Sequence, residues 1–149
     1  MILKIFENEF LLCQLDDSLP VLKHTWKKEA SGLDFKSNLM KVLDEYDVLK
    51  HSYAKLAWLA DTTLLGELDE ETEQWLGEVW EEMLFQKSGV KIHAVILGNN
   101  IFADYPMEKF KKHAEEKFEE LDVRLGVFSN EKNAYRWVSE QQVLIGEHH

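Results

Sequence analysis

Residues 55–97 read KLAWLADTTLLGELDEETEQWLGEVWEEMLFQKSGVKIHAVIL, and this stretch decides the fold. Its two ends, residues 55–60 and 91–97, are short runs that are apolar on both alternating faces, which is typical of strands buried between two layers. The residues between them repeat their apolar positions at steps of three and four, which predicts a helix. Asp69 is placed to cap the start of that helix, and Gly89 to end it. A strand, a helix and a second strand in this order predict a right-handed crossover between parallel strands.

The same alternation continues towards the carboxyl terminus. Pro106 is predicted as the first residue of a third helix, because proline suits that position. Residues 123–128 are predicted as the last strand, and Ser129 as the cap of a final helix. The residues after Gln141 are expected to form a tail.

Towards the amino terminus the pattern is that of strands. Residues 2–6 and 10–15 are two short apolar runs that predict a hairpin. Residues 21–28 predict a third strand, whose lysines favour an edge or a half-exposed face. Asp34 is predicted to cap a first helix that ends near His51.

Together these elements predict a single α/β domain with a mixed β-sheet flanked by helices. The amino-terminal strands are antiparallel, and alternating β/α units then add parallel strands. The domain is expected to span residues 1–141, followed by a tail of residues 142–149. His148 and His149 are left out of any metal-binding argument, because a purification tag also leaves such a pair.

The charge balance limits the function classes. With 17 basic and 28 acidic residues among 149, the chain has a formal net charge of −11 at pH 7. Duplex DNA and anionic lipid reward lysine and arginine, so nucleic acid and membrane surfaces are not expected partners. The longest apolar runs are far shorter than the roughly 20 residues of a membrane helix. No signal peptide is visible, and the single cysteine, Cys13, is interpreted as a buried apolar residue, so we expect a cytoplasmic protein.

Polar residues follow the predicted central strands at their carboxyl ends, which is the ligand side of an α/β sheet. With the helix cap that comes soon after, the candidates are Asp61, Thr62, Thr63, Asp69, Asn99 and Asn100. They could line a crevice for an anion or a nucleotide, or serve only as turn and cap residues, the commoner use of these residue types. No glycine-rich phosphate loop accompanies them, and the acids nearby would repel an anion.

Tryptophan gathers around the predicted second helix. Trp58 lies in the strand before it, and Trp75 and Trp80 lie on its apolar face. These side chains predict core packing or, alternatively, a hydrophobic pocket or an oligomer interface. Gly77 costs about 1 kcal/mol inside a helix, so it predicts a close approach by another backbone or a partner. The whole apolar stripe consists of Trp75, Leu76, Val79, Trp80, Met83 and Leu84.

The other face of this helix is acidic. It carries Glu73, Glu78, Glu81 and Glu82, which predict a solvated face or, alternatively, a surface that steers a basic partner. His93, in an apolar strand, is interpreted as a hydrogen-bonded core residue. No residues show the spacing of a metal site or a nucleophilic triad, so we predict no metal, no cofactor and no catalytic residue.

The strand that ends in Asp61-Thr62 is followed by a helix that opens with acids and carries an inward Trp75. With residues 89–95, 123–129 and 134–137, this order resembles the SpoIIAA-like branch of the STAS superfamily, the domain shared by sulphate transporters and anti-sigma-factor antagonists. The resemblance implies the fold predicted above and a regulatory or interaction module. The antagonists are switched by a phosphorylated serine, but acids stand at the comparable positions 69–71, so a switch of that type is not expected.

Two functions are therefore open. The first is a non-enzymatic STAS-like regulatory or protein-interaction module, able to form a homodimer through an apolar helix face or a sheet edge. The alternative is a small-molecule carrier or sensor, which would bind an apolar ligand or a nucleotide near Trp58, Trp75 and Trp80. An enzyme is not expected, because no catalytic constellation is visible.

Overall fold

The computed structural model describes residues 1–97 and 101–147, without the side chains of residues 101–107 and 146–147. Asn99, Asn100, His148 and His149 therefore lie outside the described residues. In chain order, the strands are β1 (Ile2–Glu7), β2 (Leu11–Asp16), β3 (Val21–Trp26), β4 (Ala57–Asp61), β5 (Ile92–Ile96) and β6 (Arg124–Phe128).

Helices occupy most of the chain between and after the parallel strands. The second of them changes its winding partway along, and we call its later part, residues 76–87, the π segment. In chain order, the helices are α1 (Gly32–Leu49), α2 (Glu70–Trp75), the π-helical pieces Leu76–Trp80 and Glu82–Lys87, α3 (Ile101–Lys117), a short 3-10 turn (Glu119–Leu121) and α4 (Glu131–Glu147).

The strands form one mixed sheet in the order β1-β2-β3-β4-β5-β6, so neighbours in sequence are also neighbours in space. The pairs β1–β2 and β2–β3 are antiparallel, and the pairs from β3 to β6 are parallel. This confirms the predicted α/β fold. Of the two alternatives for the third strand, the edge is excluded: α1 carries the chain back so that β4 pairs beside β3, and β1 and β6 are the edge strands. Lys23 and Thr25 of β3 are partly exposed, as the alternative of a half-exposed face expects.

Helices cover both faces of the sheet. On one face, α1, the π segment and α3 close a core that includes Trp58, Trp80 and Phe85. On the other face, α4 packs against the sheet. Successive side chains of a strand point to opposite faces, so Trp58 of β4 belongs to the first core and Leu59 to the second.

The caps of α2 and α4 use the predicted chemistry. The Thr72 backbone N–H donates to Asp69 Oδ1 at 2.7 Å, which confirms Asp69 as the cap of α2. α4 is capped one residue later than predicted, since the Asn133 backbone N–H donates to Asn130 Oδ1 at 2.9 Å. Ser129 precedes this cap.

Two helices begin earlier than predicted. Ser31 precedes the first residue of α1, and Asp34 lies within the first turn. An acid is favourable throughout that turn, so its presence does not fix the cap. α3 begins at Ile101, before Pro106. Because proline has a helical φ and costs one backbone hydrogen bond, a turn can precede it.

α4 runs through residues that were expected to form a tail. Gln142 is buried, and its Nε2 donates to the backbone oxygens of Pro20 at 2.9 Å and Lys55 at 3.1 Å. These two carbonyls lie just before β3 and β4. Ile145, one turn further on, packs against the same core as the rest of α4. The second half of the helix is thus held by the sheet.

Candidate functional site

The π segment gives the second helix a different face from the predicted one. The Glu81 backbone N–H donates to Leu76 O, and the Ser88 N–H to Met83 O at 2.9 Å, so each bond spans five residues instead of four. A wider turn shifts every later side chain relative to a 3.6-residue pattern. Val79, predicted to face inward, is 43% exposed, whereas Glu81, predicted on the solvated acidic face, is fully buried. Both predictions are wrong for this one reason.

Glu81 meets a histidine from α3. Its Oε2 lies 2.6 Å from His113 Nδ1, while its Oε1 is buried without a hydrogen-bond partner among the described residues. Burial raises the pKa of the Glu81 carboxyl, and the hydrogen bond from His113 and the charge of Lys117 oppose that rise. His113 is about half exposed, so the pair connects the interior with solvent.

A cavity of about 310 Å³ lies between the π segment and α3, and we call it the outer cavity. This volume is at the lower end of the range for small-molecule sites. Glu81 and His113 are in its wall, and its apolar surface comes from Leu68, Leu76 and Phe110. Its remaining charged wall residues are Glu73, Glu78 and Lys109.

Gly77 also lines the outer cavity. A Cβ built on this glycine would meet nothing within 4 Å outside its own helix, among the residues the structure describes. The prediction that Gly77 marks a close approach of another segment of the chain is therefore wrong. Its missing side chain instead leaves room in the cavity.

A smaller inner cavity of about 60 Å³ lies against the sheet. It shares the lining residues Leu68, Leu76 and Phe110 with the outer cavity, so the two adjoin. Its deeper wall includes Trp58, Trp80, His24 and His93. A water needs roughly 10–15 Å³ of such volume, so the inner cavity is large enough for a polar group of a ligand or for a few waters.

His24 and His93 are polar groups in an aromatic surrounding. They are 1% and 4% exposed, and the Nδ1 of each has no hydrogen-bond partner within the described parts of the chain. Their rings lie 5.2 Å and 6.2 Å from that of Trp58, centroid to centroid. Burial lowers the pKa of both to about 3, so they are neutral at ordinary pH. The interpretation of His93 as a core residue is confirmed, but its Nδ1 lacks the expected hydrogen bond.

The predicted tryptophans lie together. Trp80 contacts both others, with ring centroids 5.8 Å from Trp58 and 5.6 Å from Trp75. Trp58 and Trp80 line the inner cavity, whereas Trp75 is half-buried and stacks on Trp80, with Lys36 Nζ 5.6 Å from its ring. The structure thus combines the two interpretations of this cluster, since the rings pack in the core and also form a cavity wall.

The polar candidates at the carboxyl edge are engaged locally. Asp61 Oδ1 accepts from the Thr63 N–H at 3.1 Å and from the Thr63 hydroxyl at 2.7 Å, which is the geometry of a turn. Thr62 donates through its hydroxyl to Ile96 O at 2.8 Å and lies in the wall of the inner cavity. Asp69 is occupied as a helix cap. Asn99 and Asn100 lie beyond the described ranges.

Sequence reasoning missed the residues that give the two cavities their polar character. Glu81 was missed because a helical period of 3.6 residues was assumed for its segment. His113 was missed because it lies among the residues of mixed charge in α3. A usable signal was present in His24, Trp58 and His93, because they stand on the neighbouring strands β3, β4 and β5 and Trp58 pairs with His93. It required the strand order, which the sequence pattern alone leaves open.

The fold and the cavities define a single-domain α/β protein with a closed aromatic core and an adjoining acidic cavity. Comparison with protein-family models, curated proteins and solved structures finds no match to this chain. Of the helices described, none is long and apolar enough to cross a membrane. Within residues 1–97 and 101–147, no group of three or more histidine, cysteine or acidic residues is placed to hold a metal ion.

Proposed function

We propose that this protein is a non-enzymatic carrier or sensor that binds a small, largely apolar molecule in the outer and inner cavities. The observation that carries the proposal is the presence of buried polar atoms without partners in the walls of two adjoining, mainly apolar cavities. They belong to Glu81, His24 and His93. An unpartnered buried polar group costs about 1–3 kcal/mol, and a ligand that pairs with one recovers part of that cost.

The shape of the site supports a ligand with an apolar body. Leu68, Leu76 and Phe110 lie where the two cavities meet, so a bound molecule contacts them whichever cavity it fills. Each square ångström of apolar surface removed from water contributes about 25 cal/mol. The few polar groups then determine orientation, as in most small-molecule sites.

Gly77 offers a test that leaves the rest of the wall intact. We expect neutral 1-naphthalenemethanol to change the tryptophan fluorescence of the wild-type protein in a saturable way. In Gly77→Leu the new side chain fills the outer cavity, so the binding constant should fall at least about tenfold, equivalent to about 1.4 kcal/mol. Gly77→Ala is the matched control, since it changes the same position but leaves most of the space, and it should bind within about twofold of wild type.

Equal binding by Gly77→Leu and wild type, or no saturable signal from wild type, would contradict the proposal. Native mass spectrometry of protein taken gently from cells adds a second readout, because a retained ligand appears as an additional mass.

The STAS-like regulatory or interaction module is the second candidate. It is favoured by the sheet edge, where Ile2 and Leu3 of β1 are 62% and 38% exposed. Two features of the same strand oppose pairing with a second copy: Lys4, and the irregular register between Lys4 and Phe6. The subunit count in the same native mass spectrum tests this candidate, which requires a dimer that Leu3→Lys disrupts.

A further inference from the structure

The outer cavity also limits the charge of its ligand, and this inference rests on the proposed function. Among its lining residues, Glu73, Glu78 and Glu81 carry carboxylates and Lys109 carries an ammonium group. A concave site with this balance attracts cations and repels anions. An acidic wall alone is a common surface feature, so the argument depends on what distinguishes one of these carboxylates.

Glu81 is that carboxylate. It is fully buried, His113 occupies only its Oε2, and Oε1 has no partner in the part of the chain that the structure describes. An ionised carboxylate is purely an acceptor, so only a donor can satisfy this oxygen. Burial raises the pKa of the Glu81 carboxyl and the hydrogen bond from His113 opposes that rise, so a charged donor at Oε1 would act together with His113 to keep the carboxyl ionised.

We propose that the ligand is an apolar amine: a primary or secondary ammonium group donates a hydrogen bond to Glu81 Oε1, and the apolar body lies against Leu68, Leu76 and Phe110. Both halves of this description are needed. A hydrocarbon leaves Oε1 unsatisfied, an alcohol donates only an uncharged hydrogen bond, and a quaternary ammonium supplies charge without an N–H donor. A charge-assisted hydrogen bond is about twice as strong as a neutral one, so the amine should be clearly preferred.

The experiment uses naphthalene compounds that share one body and differ in the polar group. They are 1-naphthylmethylamine, 1-naphthalenemethanol, 1-naphthoate and the trimethylammonium analogue of the amine, titrated calorimetrically near neutral pH at physiological salt. For the wild-type protein, the amine should bind at least about tenfold more tightly than the alcohol, a difference of about 1.4 kcal/mol. The trimethylammonium compound should bind no better than the alcohol, and naphthoate should bind most weakly.

Two variants assign the preference to one side chain. In Glu81→Gln, the preference for the amine over the alcohol should disappear, because the neutral amide lacks the charge that distinguishes an ammonium group from a hydroxyl group. Glu78→Gln is the matched control: it removes one charge from the same wall but leaves Glu81 intact, so the preference should remain.

The outcomes separate this inference from the proposed function. If the alcohol binds and the amine binds no better, the amine assignment is overturned and the proposed function stands. An equal loss of preference in Glu78→Gln would overturn the role of Glu81. Failure of all four compounds to bind would overturn both. The trimethylammonium comparison needs no variant, so the test stays decisive even if Glu81→Gln does not fold.

Discussion

At the scale of the residue, the two buried histidines on either side of Trp58 make the folded protein sensitive to acid. Burial lowers the pKa of His24 and His93 to about 3, whereas an unfolded chain gives histidine a pKa of about 6.5. At pH values between these two pKa values, the histidines are protonated in the unfolded state but not in the folded state. The free energy of unfolding therefore falls as the pH drops below about 6.5, and this loss continues towards about 3.

Replacing one of these histidines should flatten that dependence. We predict that His24→Phe, which keeps an aromatic ring but cannot be protonated, reduces the slope by up to about 1.4 kcal/mol per pH unit. Urea unfolding between about pH 7 and pH 5 measures it, with the exposed His51→Gln as control. Identical slopes in wild type and His24→Phe would show that His24 does not resist protonation.

Glu81 acts in the opposite direction over part of the same range. Burial raises the pKa of its carboxyl, so the folded state binds this proton more readily than the unfolded state does. The contribution of Glu81 to stability is fully present at pH values below its pKa in the unfolded chain. It is lost as the pH rises through its pKa in the folded protein. The measured slope is thus the sum of opposite contributions from the two histidines and from Glu81.

At the scale of the element, the π segment shows why the fold was predictable from the sequence and the site was not. The start of the helix at Asp69 and its end before Gly89 follow from local chemistry, which does not depend on the winding between them. Which side chains face the core does depend on it. A pattern read at 3.6 residues per turn assigns Glu81 to solvent, and only the five-residue hydrogen bonds move it inward.

Two glycines in different elements should respond to alanine with opposite signs. A Cβ on Gly126 of β6 would lie 2.6 Å from the Phe128 ring and 3.0 Å from the Trp137 ring, so Gly126→Ala should lower the free energy of unfolding by about 1–3 kcal/mol. Gly77 faces open space, and Gly77→Ala should raise it by about 0.5–1 kcal/mol. Chemical denaturation of both variants checks the pair, and a stabilised Gly126→Ala would show that α4 does not pack closely on β6.

At the scale of the whole molecule, α4 joins the far end of the chain to the beginning of the parallel sheet. The sequence pattern predicted this helix from its first turns, where Ala134 and Val138 are apolar and buried. The predicted helix stopped before Gln142, because a polar residue at that position indicates exposure to solvent unless its hydrogen-bond partners are known. Those partners are backbone carbonyls far away in sequence, which local periodicity does not reveal.

Gln142 should therefore matter more than a polar residue near a terminus usually does. We predict that Gln142→Ala lowers the free energy of unfolding by about 1–3 kcal/mol, because Lys55 O loses this amide donor and Pro20 O keeps only the Ala57 N–H. The neighbouring Val143→Ala, at a side chain that is 58% exposed, should change stability by less than about 0.5 kcal/mol. Thermal and urea unfolding measure both. If Gln142→Ala changed the free energy of unfolding as little as Val143→Ala does, residue 142 would lie outside the part of the protein that unfolds cooperatively.

The row of indoles has an optical consequence. Trp75, Trp80 and Trp58 follow one another at centroid distances of 5.6 Å and 5.8 Å, and the last two line the inner cavity. At such separations the electronic transitions of neighbouring rings couple, so an electronic excitation is shared by the three rings instead of being confined to one of them. The coupling gives a split circular-dichroism band in the far ultraviolet, whose shape depends on ring angles. A molecule that enters the cavity and turns Trp80 by a few degrees therefore changes the circular-dichroism band of all three coupled rings.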